Sequence, residues 1–262
     1  MNEKPLVTIV TPSYNQGGFI EETIKSVLAQ DYPNIEYIIM DGGSTDETVD
    51  VIRKYEDRVA YWESVKDKGQ TDAINKGFAR ANGEILAWIN SDDVLYPHAV
   101  SEAAAYLTAH PDVGLVYGNC DFIDAEGAKI GSFNAKQTDL RKLEQGYVHI
   151  PQQASFWRAD LWKQVGPLDD SIYFAMDYDL WVRLARVSKL VYLADSEPMA
   201  AFRLHASAKS IAEDDRCWPD MIKIHLRDGG SKFSVIYAKY LARKVLAPIV
   251  RARRARMFEK KD

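Results

Sequence analysis

The sequence predicts an α/β protein built on a mostly parallel sheet with helices on both faces. Three observations carry this prediction: short β-branched apolar runs, helix-period patterns that alternate with them, and polar clusters directly after several runs. Continuous apolar strands are typical of a sheet that is covered on both faces. With 262 residues, of which 47% are apolar, the chain can bury a core without disulfide or metal support.

The first region, which we expect to end near residue 118, holds the clearest alternation. The β-branched run 6–11 predicts a strand, and apolar residues on one helical face predict a helix over 20–28. The run 35–40 predicts a second strand. Ser44 and Glu47 have the spacing of a capping box, which predicts that a helix begins there. The same criteria predict a helix at 74–81, a strand at 85–89, a helix at 97–109 and a strand at 113–117.

The remainder is less regular, and we divide it into 119–212 and 213–262. Asp124–Gly127 has the composition of a hairpin turn. Short strands are predicted at 154–157, 190–194 and 198–204, with helices at 160–165 and 177–187. A further helix, broken at Pro248, is predicted over 240–257.

Charge is distributed unevenly along the chain. Residues 239–262 hold nine basic and two acidic side chains, so this tail carries +7 and the other 238 residues carry −12. Cys120 and Cys217 lie far apart, which argues against a disulfide scaffold or a structural zinc site and fits a reducing compartment. We find no membrane-spanning run and no secretory signal, and therefore expect a cytoplasmic protein.

Polar clusters follow three of the predicted strands: TPSYN at 11–15, DGGSTD at 41–46 and NSDD at 90–93. Ligands of open α/β sheets bind beyond the carboxyl ends of the strands. Adjacent carboxylates there suit Mg²⁺ or Mn²⁺. Taken singly, Asp92 and Asp93 are better explained as helix caps or turn residues, and Asp41 as a turn residue. Packing alone also explains Tyr14.

The motifs TPSYN, DGGSTDET, DAINKG and NSDD, in this order, resemble family 2 of the inverting nucleotide-sugar glycosyltransferases, which have the GT-A (Rossmann-like) fold. The resemblance covers about residues 6–205. It implies that 1–118 binds the nucleotide sugar, that 119–212 holds the acceptor and the catalytic base, and that 213–262 is a C-terminal helical region. A Walker A loop and a GxGxxG motif are both absent.

The resemblance also implies which residues contact the donor: Pro12, Tyr14, Asp41, Asp72 and Asp92. The first two line the nucleobase pocket, and Asp41 bonds uracil or guanine, between which the motif does not choose. Gly42 stands where many relatives have a second acid. Asp72 lies near the ribose or the phosphates, although an ordinary acid in the first turn of a helix explains it equally well.

The same resemblance implies which residues bind the metal and which residue is the catalytic base. Asp93 binds the divalent cation, and His205 in the segment RLH either completes its shell or is structural. Asp177 is the catalytic base, in a segment where Met176 replaces the usual Glu. As alternatives, Asp177 caps its helix, and Asp179 pairs with Arg183 at a spacing of four.

Other side chains allow two interpretations each. His149, Gln152 and Gln153 line the acceptor cleft or bond within their own loop. Trp157 and Trp181 stack on sugar rings or, as we prefer, pack in the core.

The sequence thus predicts a metal-dependent inverting enzyme of cell-envelope polysaccharide synthesis. It moves a sugar from a UDP, GDP or dTDP donor to a hydroxyl of a glycan or lipid-linked acceptor. The alternatives are a sugar-1-phosphate nucleotidyltransferase, whose GxGxRL-type loop is absent, and an inactive glycan- or lipid-binding protein. The tail 239–262 either binds an anionic membrane surface or is simply solvated, and the −12 body argues against a nucleic-acid partner.

Overall fold

A computed structural model describes residues 4–205 and 216–245. Eleven strands lie in these ranges: β1 (Val7–Ser13), β2 (Ile35–Asp41), β3 (Tyr61–Ser64), β4 (Ile85–Trp88), β5 (Val94–Leu95), β6 (Val113–Tyr117), β7 (Cys120–Ile123), β8 (Lys129–Phe133), β9 (Ser155–Arg158), β10 (Lys189–Tyr192) and β11 (Ala200–Arg203). The helices are α1 (Ile20–Leu28), α2 (Thr48–Arg53), α3 (Gln70–Arg80), α4 (Ala99–Ala109), α5 (Leu140–Glu144), α6 (Ala159–Val165) and α7 (Met176–Val187). The helix Cys217–Arg227 and a helix at 235–245 follow.

Seven strands form the central sheet, in the order β10-β6-β9-β4-β1-β2-β3. β1 pairs in parallel with β2 and β4, β2 pairs in parallel with β3, and β10 with β6. β9 runs antiparallel to both β4 and β6. The predicted mostly parallel α/β architecture is therefore confirmed, and the chain order reverses beside β1, where ligands bind in doubly wound sheets.

A second, four-stranded sheet has the order β5-β11-β7-β8. β7 and β8 form an antiparallel hairpin, and its turn is the predicted Asp124–Gly127 segment. The amide of Asp124 donates to the carbonyl of Ala128, and Gly127 has a φ of 85°, a conformation that favours glycine. This sheet lies beside the polar cluster 90–93, because β5 follows that cluster directly.

Two apolar cores cover the two faces of the central sheet. Ile9 and Ile39 pack with α1, α2 and α4 on one face. Val10 and Ile38 pack with α3, α6 and α7 on the other. Successive strand residues point to opposite faces, so the β-branched runs supply both cores at once.

One local prediction is wrong, and several elements, among them β3, were not predicted. The capping box at Ser44 and Glu47 is wrong: α2 begins at Thr48, and the Ser44 hydroxyl donates to Asp41 instead. The edge strand β3 was not predicted, because its four residues are all half-buried and show no continuous apolar run.

The C-terminal region is described only as far as residue 245. The helix at 235–245 begins before the predicted start at 240, whereas Pro248 and the rest of the tail lie outside the described residues. Among the helices within residues 4–205 and 216–245, none is long and apolar enough to cross a membrane.

Candidate active site

A cleft of ≈ 970 Å³ opens at the carboxyl ends of β1, β2 and β4. Its walls come from both halves of the chain, because the central sheet takes strands from each. Of the eight residues predicted to contact the donor, bind the metal or act as the base, four lie on its wall: Pro12, Tyr14, Asp92 and Asp177. The other four, Asp41, Asp72, Asp93 and His205, are not part of the wall.

Pro12 and Tyr14 stand at the end of β1. Pro12 is buried and pairs with Met40 of β2, which fixes its place in the sheet. Tyr14 follows the strand and is 60% exposed. An exposed ring at the mouth of a cleft offers a flat apolar face to a planar ligand.

Asp41 ends β2 and is 2% exposed. Its Oδ2 accepts hydrogen bonds from the amides of Gly43 and Ser44, at 3.1 and 2.8 Å. The hydroxyls of Ser44 and Ser64 donate to its Oδ1 and Oδ2, at 2.5 and 2.6 Å. The carboxylate thus organises the loop after β2.

Asp72 lies in the first turn of α3 and contacts its own helix. Its carboxylate pairs with Lys76 at 2.8 Å and accepts from the amide of Lys68 at 3.1 Å. The hydrogen bond from Lys76 is the main reason that the pKa of Asp72 is lowered. These contacts are those of a helix N-terminal acid, and its role toward a donor stays a prediction.

Asp92 and His205 meet beside the cleft. His205 Nε2 lies 3.0 Å from Asp92 Oδ2, and the imidazole packs on Phe19 with ring centroids 4.5 Å apart. Both side chains are largely buried. The resemblance had assigned Asp93 as the partner of His205, whereas the carboxylate that meets the imidazole is that of Asp92.

Asp93 is fully buried within a separate network. Its Oδ1 accepts from the amide of Arg203 at 3.0 Å, and its Oδ2 accepts from Asn90 and Gln153 at 3.1 and 3.0 Å. Burial, followed by the charge of Asp92, raises the pKa of the Asp93 carboxyl well above its usual range. Asp92 and Asp93 lie in a turn that is closed by the hydrogen bond from the Asp93 amide to the Asn90 carbonyl. This turn places Asp92 on the cleft wall and Asp93 in the buried network.

Arg203 holds this region together, a role that the RLH motif by itself does not indicate. Its guanidinium is almost fully buried, and it donates to the carbonyl of Asp92 at 2.9 Å and pairs with Glu22. It also donates to the carbonyls of Asp124 and Ala125. Arg203 thus connects α1, the NSDD cluster and the β7–β8 turn, which fixes the position of Asp92.

Asp177 lies in the first turn of α7, on the cleft wall. Its Oδ1 accepts from the amide of Tyr178 at 2.7 Å. Asp179, by contrast, is fully buried and pairs with Arg183 at 2.9 Å and with Arg227 at 2.5 Å. The alternative of an i,i+4 pair is therefore confirmed for Asp179.

The structure shows the positions of the remaining side chains, for each of which the sequence allowed two interpretations. Gln152 and Gln153 line the cleft. Their side chains donate to the carbonyl of Trp88 and to Asp93 Oδ2, so they do not bond within their own loop, and their role toward an acceptor stays a prediction. His149 stacks on Tyr147, and burial lowers its pKa. Trp157 and Trp181 are fully buried against Trp88, which confirms their place in the core.

Several cleft residues were missed in the sequence. Lys66, Asp67, Gln70 and Phe174 contribute to the wall, the first three from the loop between β3 and the start of α3. This loop was not predicted because the strand that precedes it, β3, was not predicted. The sequence does contain one sign of the loop: Gly42 stands where many relatives have a second acid, and it lies against Asp67.

Similarity to known proteins identifies the family and the fold of this chain. Residues 8–163 match the profile of Glycosyl transferase family 2. An uncharacterised glycosyltransferase of Mycobacterium tuberculosis is 34% identical over 194 residues, covering 73% of both chains. Another, of Rickettsia typhi, is 28% identical over 233 residues, covering 84% of this chain and 72% of the relative.

Solved structures agree on the fold. S. aureus TarS 1–349 in complex with UDP-GlcNAc matches with a TM-score of 0.67 and 18% identity, over 90% of this chain and 71% of that one. A mannosyltransferase of Pyrobaculum calidifontis in complex with GDP-Man and Mn²⁺ gives a TM-score of 0.67 and 18% identity, over 91% and 70%. The chain spans 43% of a longer S. aureus TarS chain. This chain has the GT-A fold and belongs to glycosyl transferase family 2.

Proposed function

We propose that the protein transfers a sugar, with inversion, from a nucleoside-diphosphate sugar to a hydroxyl group of a glycan or lipid-linked acceptor. The observation that carries this proposal is one cleft, at the carboxyl ends of β1, β2 and β4, that has Asp92 and Asp177 on its wall. Family membership favours glycosyl transfer over the nucleotidyltransferase alternative. The intact Asp177 disfavours an inactive binding protein.

The donor nucleotide would lie against Pro12 and Tyr14. Proteins of the same fold were solved with UDP-GlcNAc and with GDP-Man, which supports a nucleotide sugar as the ligand class. A cleft of ≈ 970 Å³ has the volume that a nucleotide sugar requires.

A divalent cation fits the residues that meet beside the cleft. Within residues 4–205 and 216–245, no group of three or more His, Cys, Asp or Glu side chains gathers as a metal site. The Asp92 oxygen and the His205 nitrogen, however, lie 3.0 Å apart, which is about the separation of adjacent ligands in an octahedral shell. A carboxylate and an imidazole suit Mn²⁺, and Mg²⁺ less well. We therefore assign the cation to Asp92 and His205, and leave Asp93 to support the loop.

Asp177 would act as the catalytic base. As the acceptor oxygen forms its bond to the anomeric carbon, the bond from that carbon to the diphosphate breaks and its electron pair leaves with the diphosphate. The acceptor proton passes to the Asp177 carboxylate, which must lie within hydrogen-bonding distance of the hydroxyl. The bound cation would neutralise the charge that develops on the departing diphosphate.

The C-terminal helix supports a membrane-surface location at the cytoplasmic face. Val235, Ala238, Leu241, Ala242 and Val245 are exposed and recur at spacings of three and four, so they form one apolar stripe on the helix at 235–245. The chain from 239 to 262 carries +7. Each basic residue near an anionic bilayer contributes about 1 kcal/mol of attraction. An apolar stripe next to basic residues is the pattern of a helix that lies on such a surface.

This helix also contacts the segment 145–148, which in this proposal lies on the acceptor side of the cleft. Lys239 donates to the carbonyl of Gln145 at 2.9 Å, and its Nζ lies 3.1 Å from the centroid of the Tyr147 ring. The next residue, Val148, lines the cleft. A bilayer under the stripe would thus lie near the end of the cleft that receives a lipid-linked acceptor.

A donor screen tests the proposal. UDP-, GDP- and dTDP-sugars with Mn²⁺ or Mg²⁺ are each added to the full chain, and the unfolding midpoint is measured. A true donor stabilises the folded state by mass action, so one class should raise the midpoint well above the others. No shift with any donor and either cation would overturn the proposal.

A further inference from the structure

The helix Cys217–Arg227 lies against the segment 169–179, which leads into α7 and carries Asp177. Three polar side chains of the helix contact this segment, and their spacings of three and four place them on one helical face: Asp220, Lys223 and Arg227. The helix is itself held by apolar side chains that are buried in the core beside α7: Met221, Ile222 and Ile224. It therefore offers the segment a fixed support.

Two of these polar contacts hold the ends of the segment. Lys223 Nζ donates to the carbonyl of Ser171 at 2.5 Å. Arg227 pairs with Asp169 at 3.2 Å and with the buried Asp179 at 2.5 Å. The chain is thus held both before and after the proposed base.

Asp220 contacts the middle of the segment, directly before α7. Its Oδ2 accepts hydrogen bonds from the amides of Phe174 and Ala175, at 2.6 and 3.3 Å. Ala175 is the residue before the first turn of α7, and its side chain has no polar atom with which to cap the helix. One oxygen of Asp220 therefore fixes two successive peptide groups where the chain enters α7.

The residues that Asp220 fixes adjoin the cleft. Phe174, Met176 and Asp177 line its wall, whereas Asp220 is not part of the wall. Asp177 follows Ala175 by two residues, so a shift of the chain at Ala175 would move the Asp177 carboxylate with it. A displacement of about 1 Å in a reacting group can lower a rate by about a hundredfold.

We propose that Asp220 is a positioning residue for the catalytic base: it holds residues 173–175 so that the Asp177 carboxylate faces the acceptor oxygen. This inference rests on the proposed function. The family match covers residues 8–163, so family membership assigns no role to Asp220. The helix Cys217–Arg227 is then a support of the active site and not an appendage that follows it.

The test measures hydrolysis of the donor, in which water takes the place of the acceptor and loses its proton to Asp177. The full chain with Mn²⁺ receives the nucleotide sugar that raises the unfolding midpoint most in the donor screen, and the released nucleoside diphosphate is measured in single turnovers. Asp220→Ala removes both hydrogen bonds, so the rate should fall by about tenfold to a hundredfold. The Kd of the donor, measured by calorimetry, should stay within about twofold of the wild type, because the base acts in the chemical step.

Three further variants sharpen the result. Asp220→Asn should restore most of the rate, because its amide oxygen can accept the same two hydrogen bonds. Asp177→Asn and the double variant Asp177→Asn/Asp220→Ala should have equal rates, because Asp220 acts through Asp177. Asp195→Ala removes an exposed acid between β10 and β11, and it should leave the rate and the Kd unchanged.

Amide hydrogen exchange measures the positioning without any ligand. Exchange in Asp220→Ala should be faster than in the wild type, and the increase should be confined to peptides that cover residues 172–180. Asp220→Asn should exchange as the wild type does. Equal exchange in all three proteins would overturn the inference, also where the wild type binds a donor without releasing nucleotide.

The outcomes separate this inference from the proposed function. A donor that binds, and that Asp220→Ala hydrolyses at the wild-type rate, overturns the role of Asp220 alone. An Asp220→Asn variant as slow as Asp220→Ala also overturns it, because charge and not hydrogen bonding would then be responsible. A further loss of rate in the double variant would show that Asp220 acts elsewhere than through Asp177. A wild type that binds no donor overturns the proposed function and this inference with it.

Discussion

His205 Nε2 lies 3.0 Å from Asp92 Oδ2, although 113 residues separate them along the chain. Arg203 connects these two residues. It lies two positions before His205 in the RLH segment, and its guanidinium donates to the carbonyl of Asp92. Adjacent ligands at 2.0–2.1 Å from an octahedral cation lie about 3.0 Å apart. A cation can therefore replace the His–Asp contact without a large movement of either side chain.

We expect Asp92→Asn and His205→Ala each to weaken Mn²⁺ binding in the presence of UDP by at least about tenfold, because each removes a direct ligand. Free Mn²⁺ is counted from its electron paramagnetic resonance signal during a titration, so no acceptor is needed. Asp50→Asn, which neutralises an exposed acid on α2, is the matched control. Equal Mn²⁺ binding in all three variants would contradict the assignment of this pair.

Asp93 should matter for stability more than for ligand binding. Asp93→Ala leaves the donors of Asn90, Gln153 and Arg203 without their acceptor in a buried place. Each buried polar group left unpaired costs about 1–3 kcal/mol. Urea denaturation should show a clear loss of unfolding free energy for Asp93→Ala and a smaller one for Asp92→Ala, whose carboxylate faces the cleft. The reverse order would place Asp93, and not Asp92, at the cleft.

Asp177→Asn should separate binding from transfer. The amide cannot take the acceptor proton, and a positioned general base contributes about 10²–10⁴ to the rate. We expect kcat to fall by that factor while the Kd for UDP stays within about twofold of the wild type. Once a donor and an acceptor are known, both values come from initial rates and calorimetry on one preparation. A large rise in Kd at unchanged kcat would place Asp177 in the donor pocket instead.

The sequence was most informative about secondary structure and its order along the chain. Apolar runs that alternate with helical patterns predicted the central sheet, because continuous β-branched runs are typical of strands that are buried on both faces. It was least informative about adjacent acids. Asp92 and Asp93 share one motif, and the turn that holds them, which the motif does not reveal, decides which of them faces the cleft. Asp67 was missed for a related reason: a half-buried edge strand precedes it, so its loop had no visible start.

The apolar stripe at 235–245 predicts binding to anionic vesicles. Leu241 is 49% exposed on that stripe, so Leu241→Glu should leave the fold intact while it places a charge against the bilayer. Burying a leucine side chain contributes about 1.5–3 kcal/mol, so we expect at least a tenfold weaker association with phosphatidylserine vesicles in a sedimentation assay. Val187→Glu, at a position on α7 that is 41% exposed, is the matched control. Deleting residues 246–262 removes six basic residues, so binding to anionic vesicles at low salt should weaken as well. If the wild type binds neutral and anionic vesicles equally, or if Leu241→Glu behaves as Val187→Glu does, the stripe does not contact lipid and the membrane-surface location is wrong.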